Sequence, residues 1–145
     1  MQISKFWLAT FAMTLALSVQ QRYVPPTEQL VVELFVRDLD RSIAFYRDIG
    51  FELIRSDDEF AELSWEEHLF FLDSSQPPPD LDTPAANVRI MVPDVDAHWE
   101  KAVAANARVL RVVDDRYYGL RDFTIADPDG FGVRFATRLE QAEDR

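Results

Sequence analysis

The sequence predicts an α+β domain built from two tandem βαβββ units. Three observations predict it. The pentapeptide Val36-Arg37-Asp38-Leu39-Asp40 returns 56 residues later as Val92-Pro93-Asp94-Val95-Asp96. Short runs of β-branched and aromatic residues precede and follow each copy, and the apolar period switches to helical spacing directly after each central Asp. With 145 residues, 48% of them hydrophobic, the chain can bury one sizeable core and is short for two domains. The predicted organisation is an apolar N-terminal segment and Pro spacer over 1–28, module one over 29–74, a linker over 75–84, module two over 85–138 and a polar tail over 139–145.

Phe6 to Val19 is apolar, follows Lys5 and ends in Ala16-Leu17-Ser18, which reads as a secretory signal peptide. It is shorter than a membrane-spanning helix needs and is interrupted by Thr10, Thr14 and Ser18, so stable membrane insertion is not expected. The alternative is an apolar helix docked on the domain or its dimer partner, or a start codon placed too early. The protein is exported if residues 1–18 are cleaved and cytoplasmic otherwise. Pro25-Pro26 predicts an extended, non-helical spacer.

Each unit opens with a strand, Leu30 to Val36 or Val88 to Val92. Asp38 and Asp94 are placed to cap the helices that follow, because a carboxylate there accepts the free N–H groups of the first turn and opposes the helix dipole. Leu39, Ile43 and Tyr46 in one copy, and Val95, Trp99, Ala102 and Val103 in the other, form the buried stripes. Gly50 and Asn106 tolerate the left-handed conformation of a helix C-terminus. Strands are then predicted over Phe51 to Arg55, Phe60 to Trp65 and His68 to Leu72, and over Arg108 to Val113, Leu120 to Ala126 and Phe131 to Thr137. Glu66-Glu67 is short enough for a hairpin, and Asp127-Pro128-Asp129-Gly130 is a strong turn. Ser74 to Pro84, with Pro77-Pro78-Pro79, reads as a stiff extended linker.

Composition narrows the function. A net charge of −11 repels phosphate backbones, so nucleic acid is not an expected partner. The absence of cysteine excludes disulfide scaffolds, thiolate metal sites and cysteine nucleophiles. No Gly-x-Ser-x-Gly elbow or phosphate-binding glycine loop occurs, and the acidic pairs at strand ends read as solvated turns, so no catalytic residue is assigned.

The run from Val36 to Tyr46, the Gly50-Phe51 pair, the repeat at Val92 to Asp96 and the Asp127-to-Gly130 turn resemble the vicinal oxygen chelate superfamily, also called the glyoxalase, bleomycin resistance and dioxygenase superfamily. The resemblance spans about residues 29 to 138. It implies two βαβββ modules whose curled mixed sheets form a cup around a small ligand, commonly in a homodimer. Metal-using members carry a ligand opening the first strand of each module and a Glu on the last strand after the turn; those places hold Val31, Asn87 and Arg134 here. Val31 has no lone pair, Asn87 offers a weak carbonyl, and Arg134 is a permanent cation. Glu33 and His68 remain as residual donors, though Glu33 reads better as a partner for Arg89 or Arg134, and His68 as a half-exposed strand end. His98 reads as part of a solvated helical face. No metal or other cofactor is expected.

Strand alternation places Glu33 and Phe35 in the cup with Val31, Asn87 with Arg89 and Met91, and Arg134 with Ala136. Phe60, Tyr117 and Tyr118 are added as lining or lid residues, whereas Trp65, Phe70 and Phe71 read at least as well as core. The expected function is metal-independent binding of an apolar or aromatic ligand, such as an antibiotic. Net negative charge favours a cationic guest, and Arg89 and Arg134 favour an anionic one. The alternatives are a metal-dependent lyase, isomerase or dioxygenase with an atypical site, and a partner-binding subunit whose cup is vestigial.

Overall fold

Asp38 and Asp94 start the two long helices in the same way. In the computed structural model, which describes residues 23–139, the Asp38 carboxylate accepts the backbone N–H of Arg41 at 2.9 Å and that of Asp94 accepts Ala97 N–H at 3.0 Å. Each satisfies an otherwise orphaned donor of the first turn. The apolar run and signal-peptide reading at residues 1–22, and the tail beyond Leu139, lie outside the described residues.

The chain begins with one helical turn, α1 (Pro26–Gln29), where an extended spacer is expected. Pro26 sits at the first helical position, where its missing N–H is no loss, and Glu28 N–H closes the turn on Pro25 C=O at 3.0 Å. Module one continues as β1 (Val32–Phe35), α2 (Leu39–Ile49), β2 (Glu52–Ser56), β3 (Phe60–Trp65) and β4 (His68–Asp73). Module two is β5 (Asn87–Met91), α3 (Val95–Ala104), β6 (Arg108–Arg116), β7 (Leu120–Ala126) and β8 (Gly132–Arg138). The predicted α+β class and both βαβββ units are present, joined by an irregular segment between Asp73 and Asn87.

Each module forms a four-stranded mixed sheet, ordered β1-β4-β3-β2 and β5-β8-β7-β6. The first strand pairs in parallel with the last, and the other pairs are antiparallel. Gly50 ends α2 with φ 118°, and a Cβ there would meet the Trp65 ring at 3.0 Å, so both backbone and packing require glycine. Asn106 follows α3 with φ 52°, in the left-handed region that asparagine tolerates.

Every second strand residue faces the helix of its module. Val36, Leu63 and Leu72 beside Tyr46 and Ile49, and Ile125, Val133 and Phe135 beside Val95, are essentially solvent-free. The helix-bearing faces of the two sheets also turn toward each other. Helix α2 packs on α3, and Trp65 of β3 stands between Phe51 and Phe135 at ring distances of 5.2 and 5.6 Å. His98 is part of this seam, in contrast to the solvated-face expectation: its ring stacks on Phe135 at 5.1 Å and approaches Trp65 at 5.7 Å. The apolar walls displace water from the imidazole face, while Nδ1 keeps a 2.9 Å contact with Asp94 C=O.

Polar contacts clamp the modules at one end. The Arg37 guanidinium donates to Asp129 Oδ1 at 2.9 Å in the β7–β8 turn, and to Pro78 C=O at 2.7 Å and Asp80 at 2.8 Å in the linker. The remaining face of each sheet is open to solvent. Among the described residues no helix is long and apolar enough to cross a membrane.

Candidate functional site

The open faces hold the predicted site residues, which fall into two groups. On module one, register places Glu33 opposite Phe71 and Phe35 opposite Asp73 across β1 and β4, with Phe60 opposite Asp73 and Glu62 opposite Phe71 across β3. Directly paired residues share a face, so Phe35, Phe60 and Phe71 form one aromatic patch bordered by carboxylates. Phe60 and Phe71 meet edge to face at 5.2 Å, and Phe35 is 44% exposed. Arg55 lies over the Phe60 ring at 5.2 Å and donates to Glu62 at 2.8 Å. Hydrogen bonds from Ser75, with a smaller contribution from Glu33, hold the Asp73 carboxyl below its ordinary range. Phe71, which the sequence leaves between lining and core, belongs to this face. Its strand alternates from buried Phe70 and Leu72, which by parity sends Phe71 the other way.

Module two presents a different surface. One row across the sheet runs Arg89, Arg134, Thr124, Arg111, and the next runs Met91, Ala136, Asp122, Asp114. A third contains Arg138, Leu120 and Arg116. Arg89, Met91, Tyr118, Leu120, Arg134 and Arg138 line an open hollow of about 500 Å³. At its floor Asp122 is fully buried, accepting Nε–H of Arg116 at 2.8 Å and the Tyr118 hydroxyl at 2.6 Å, with Arg134 Nε at 3.9 Å. Burial pushes the Asp122 carboxyl upward, but the Tyr118 and Arg116 hydrogen bonds outweigh it and leave the group below its ordinary value. The same bond to Asp122 raises the Arg116 guanidinium. Tyr117 is fully exposed, touching the Tyr118 ring edge-on at 5.1 Å, and Asn87 stands exposed at the mouth of β5.

Glu33 makes no ion pair with Arg89 or Arg134 within the chain, contrary to expectation, because they lie on separate sheets. Arg134 instead donates to Thr124 at 3.4 Å. Arg111, Arg116, Asp122 and Arg138 join the site although the sequence reading omitted them. Continuing the alternation from Arg134 by two steps along β8 reaches Arg138.

The metal positions of the resembled superfamily do not fit a metal here. Val31, Asn87 and Arg134 offer one weak neutral oxygen and a permanent cation among them. The residual pair fails on geometry: Glu33 shares its face with Phe71, whereas His68 shares that of Phe70, two residues along β4 and on the helix-bearing side. Among the described residues no group of three or more His, Cys, Asp or Glu could hold an ion.

The profile described as Glyoxalase/Bleomycin resistance protein/Dioxygenase superfamily matches residues 29–135. No curated protein matches the chain. Among solved structures, TioX from Micromonospora sp. ML1 is 27% identical, with a TM-score of 0.63 over 76% of this chain and 98% of its own. A glyoxalase/bleomycin resistance protein/dioxygenase from Nocardioides is 17% identical, with a TM-score of 0.66 over 88% and 93%. Lactoylglutathione lyase from Agrobacterium tumefaciens is 22% identical, with a TM-score of 0.61 over 79% and 96%. The latter two likenesses carry the fold alone. Two βαβββ modules, and a family profile that spans nearly all of both, make this chain a member of the glyoxalase/bleomycin resistance/dioxygenase superfamily.

Proposed function

We propose that this protein is a metal-independent binding protein that sequesters a small apolar or aromatic molecule, an antibiotic being one such compound. It acts as a homodimer in which a second copy brings its module-two face over the module-one face of the first. The observation that carries the reading is the donor set: Val31, Asn87 and Arg134 stand where metal-using members of the superfamily hold their ion. Exposed Phe35, Met91 and Tyr118, each more than two-fifths accessible, supply apolar area that a guest and a second subunit would cover. The opposite charge of the two faces, carboxylates on module one and arginines on module two, favours that pairing.

A thermal-shift screen of aromatic compounds, repeated after exhaustive chelation with EDTA, tests the reading. At least one compound raises the melting temperature, by the same amount before and after chelation, because a guest that binds only the folded state stabilises it. Binding or turnover that disappears with EDTA and returns with Fe²⁺, Mn²⁺, Ni²⁺ or Zn²⁺ would overturn it in favour of a metal-dependent enzyme.

A further inference from the structure

The module-two face concentrates positive charge in a chain whose net charge is −11. Arg89 and Arg134 are direct cross-strand partners, an arrangement that like charges disfavour unless something negative lies between them. The nearest carboxylate, Asp122, is already committed. Both its oxygens are taken, by Arg116 and Tyr118, and Arg134 stays 3.9 Å away. Asp114 is spent on Arg116 at 3.4 Å. Among the described residues neither Arg89 nor Arg138 has an ion-pair partner. Bringing the module-one face over this one adds Glu33, Glu52, Glu62 and Asp73, with Glu62 already held by Arg55, so three carboxylates meet four arginines that among the described residues make no hydrogen bond to a carboxylate, Arg89, Arg111, Arg134 and Arg138.

We propose that Arg89, Arg134 and Arg138 form an oxyanion subsite. It receives the carboxylate or phosphate of a guest whose apolar body lies on Met91, Tyr118 and Leu120, the other walls of the 500 Å³ hollow. Planar guanidiniums suit this task, since each presents parallel donors that match two oxygens of one anion. The inference rests on the proposed binding function and gives the guest a sign, which composition leaves open.

Four probes share one ring system and differ in charge: 2-naphthoate, 2-naphthyl phosphate, the neutral 2-naphthamide and the cationic 2-naphthylmethylamine. In calorimetric titrations of the full chain, one or both anions bind about tenfold tighter than the amide, the size expected for a charge-assisted hydrogen bond. The amine binds weakest, and the anion's advantage shrinks as salt rises. Arg89→Gln and Arg138→Gln each lose most of that advantage, while Lys101→Gln, the same charge change on α3, retains it. Arg89→Gln removes a like-charge contact, so its melting temperature should not fall. An amide or amine that binds as tightly as the anions overturns the subsite and leaves the binding function standing, as does anion binding untouched in both arginine variants. Failure of all four probes to bind overturns both.

Discussion

The phenol of Tyr46 donates a 2.9 Å hydrogen bond to Asp127 Oδ2, joining α2 of module one to the turn after β7 of module two in a fully buried contact. The other carboxylate oxygen accepts the backbone N–H groups of Asp129 and Phe131 at 2.9 and 2.8 Å. One side chain therefore shapes the β7–β8 turn and fixes it to the neighbouring module. Burial, with the Asp127 charge and hydrogen bond adding to it, raises the Tyr46 phenol well above its usual range, so it remains a donor at physiological pH.

Tyr46→Phe should cost about 1–2 kcal/mol in urea unfolding, because it leaves a buried carboxylate oxygen without its donor. Burial raises the Asp127 carboxyl above 3.8 despite the bonds it accepts. Stability from this group is thus present below pH 3.8 and declines as pH rises through the raised folded value. The Tyr46 bond works against that rise. The deficit of Tyr46→Phe should be larger at pH 7 than at pH 3.

Asp122→Asn should destabilise by about 3 kcal/mol, since it removes the counter-charge of Arg116, whose side chain is largely buried, and disturbs the Tyr118 contact. The Asp122 carboxyl is lowered when folded, so its contribution is present above about pH 4 and is lost as pH falls through that lowered value. Melting curves across pH should show the gap between wild type and variant closing in acid.

Ser42→Ala should leave stability unchanged or raise it by up to about 1 kcal/mol. The Ser42 hydroxyl is fully buried in α2 and has no hydrogen-bond partner among the described residues. Removing an unsatisfied polar atom offsets the little packing lost, and alanine is the better helix former. Differential scanning calorimetry checks the sign.

Sedimentation equilibrium should return twice the 16.8 kDa chain mass. Phe35→Glu places a charge on the exposed aromatic face that the second copy would cover, and should shift the equilibrium toward monomer by tenfold or more. Because Phe35 points away from its own core, the far-ultraviolet spectrum should not change.

The elements whose causes are local were legible in sequence. Asp38 and Asp94, with helical apolar spacing directly behind them, marked both helix starts, and Gly50 and Asp127-Pro128-Asp129-Gly130 marked an end and a turn. Period-2 alternation also set Glu33, Phe35, Arg89, Met91 and Arg134 apart from the helix-facing residues of their strands, although it assigned them to one cup and β1 lies in a different sheet from β5 and β8. What sequence did not reveal is which faces meet. That is decided by the seam of Trp65, His98 and Phe135, contacts between residues tens of positions apart with no local pattern. His98 was misread for this reason, since a polar residue on a helix looks solvated until its neighbours are known. Asp122 went unnoticed because a carboxylate in a strand looks solvated, and a buried charge becomes visible only with its partners Arg116 and Tyr118 in place.

The grip of Arg37 on Pro78, Asp80 and Asp129 means that the proline-rich crossing is fastened at its middle as well as at its ends. A peptide bond cut between Asp73 and Pro78 would leave the linker, now part of the second half, still held against the first half by that guanidinium. With the Tyr46 bond and the aromatic seam intact as well, a nicked molecule should elute as a single particle. Covalent continuity between the halves then matters chiefly while they first find each other, when the short tether keeps each at high local concentration around the other.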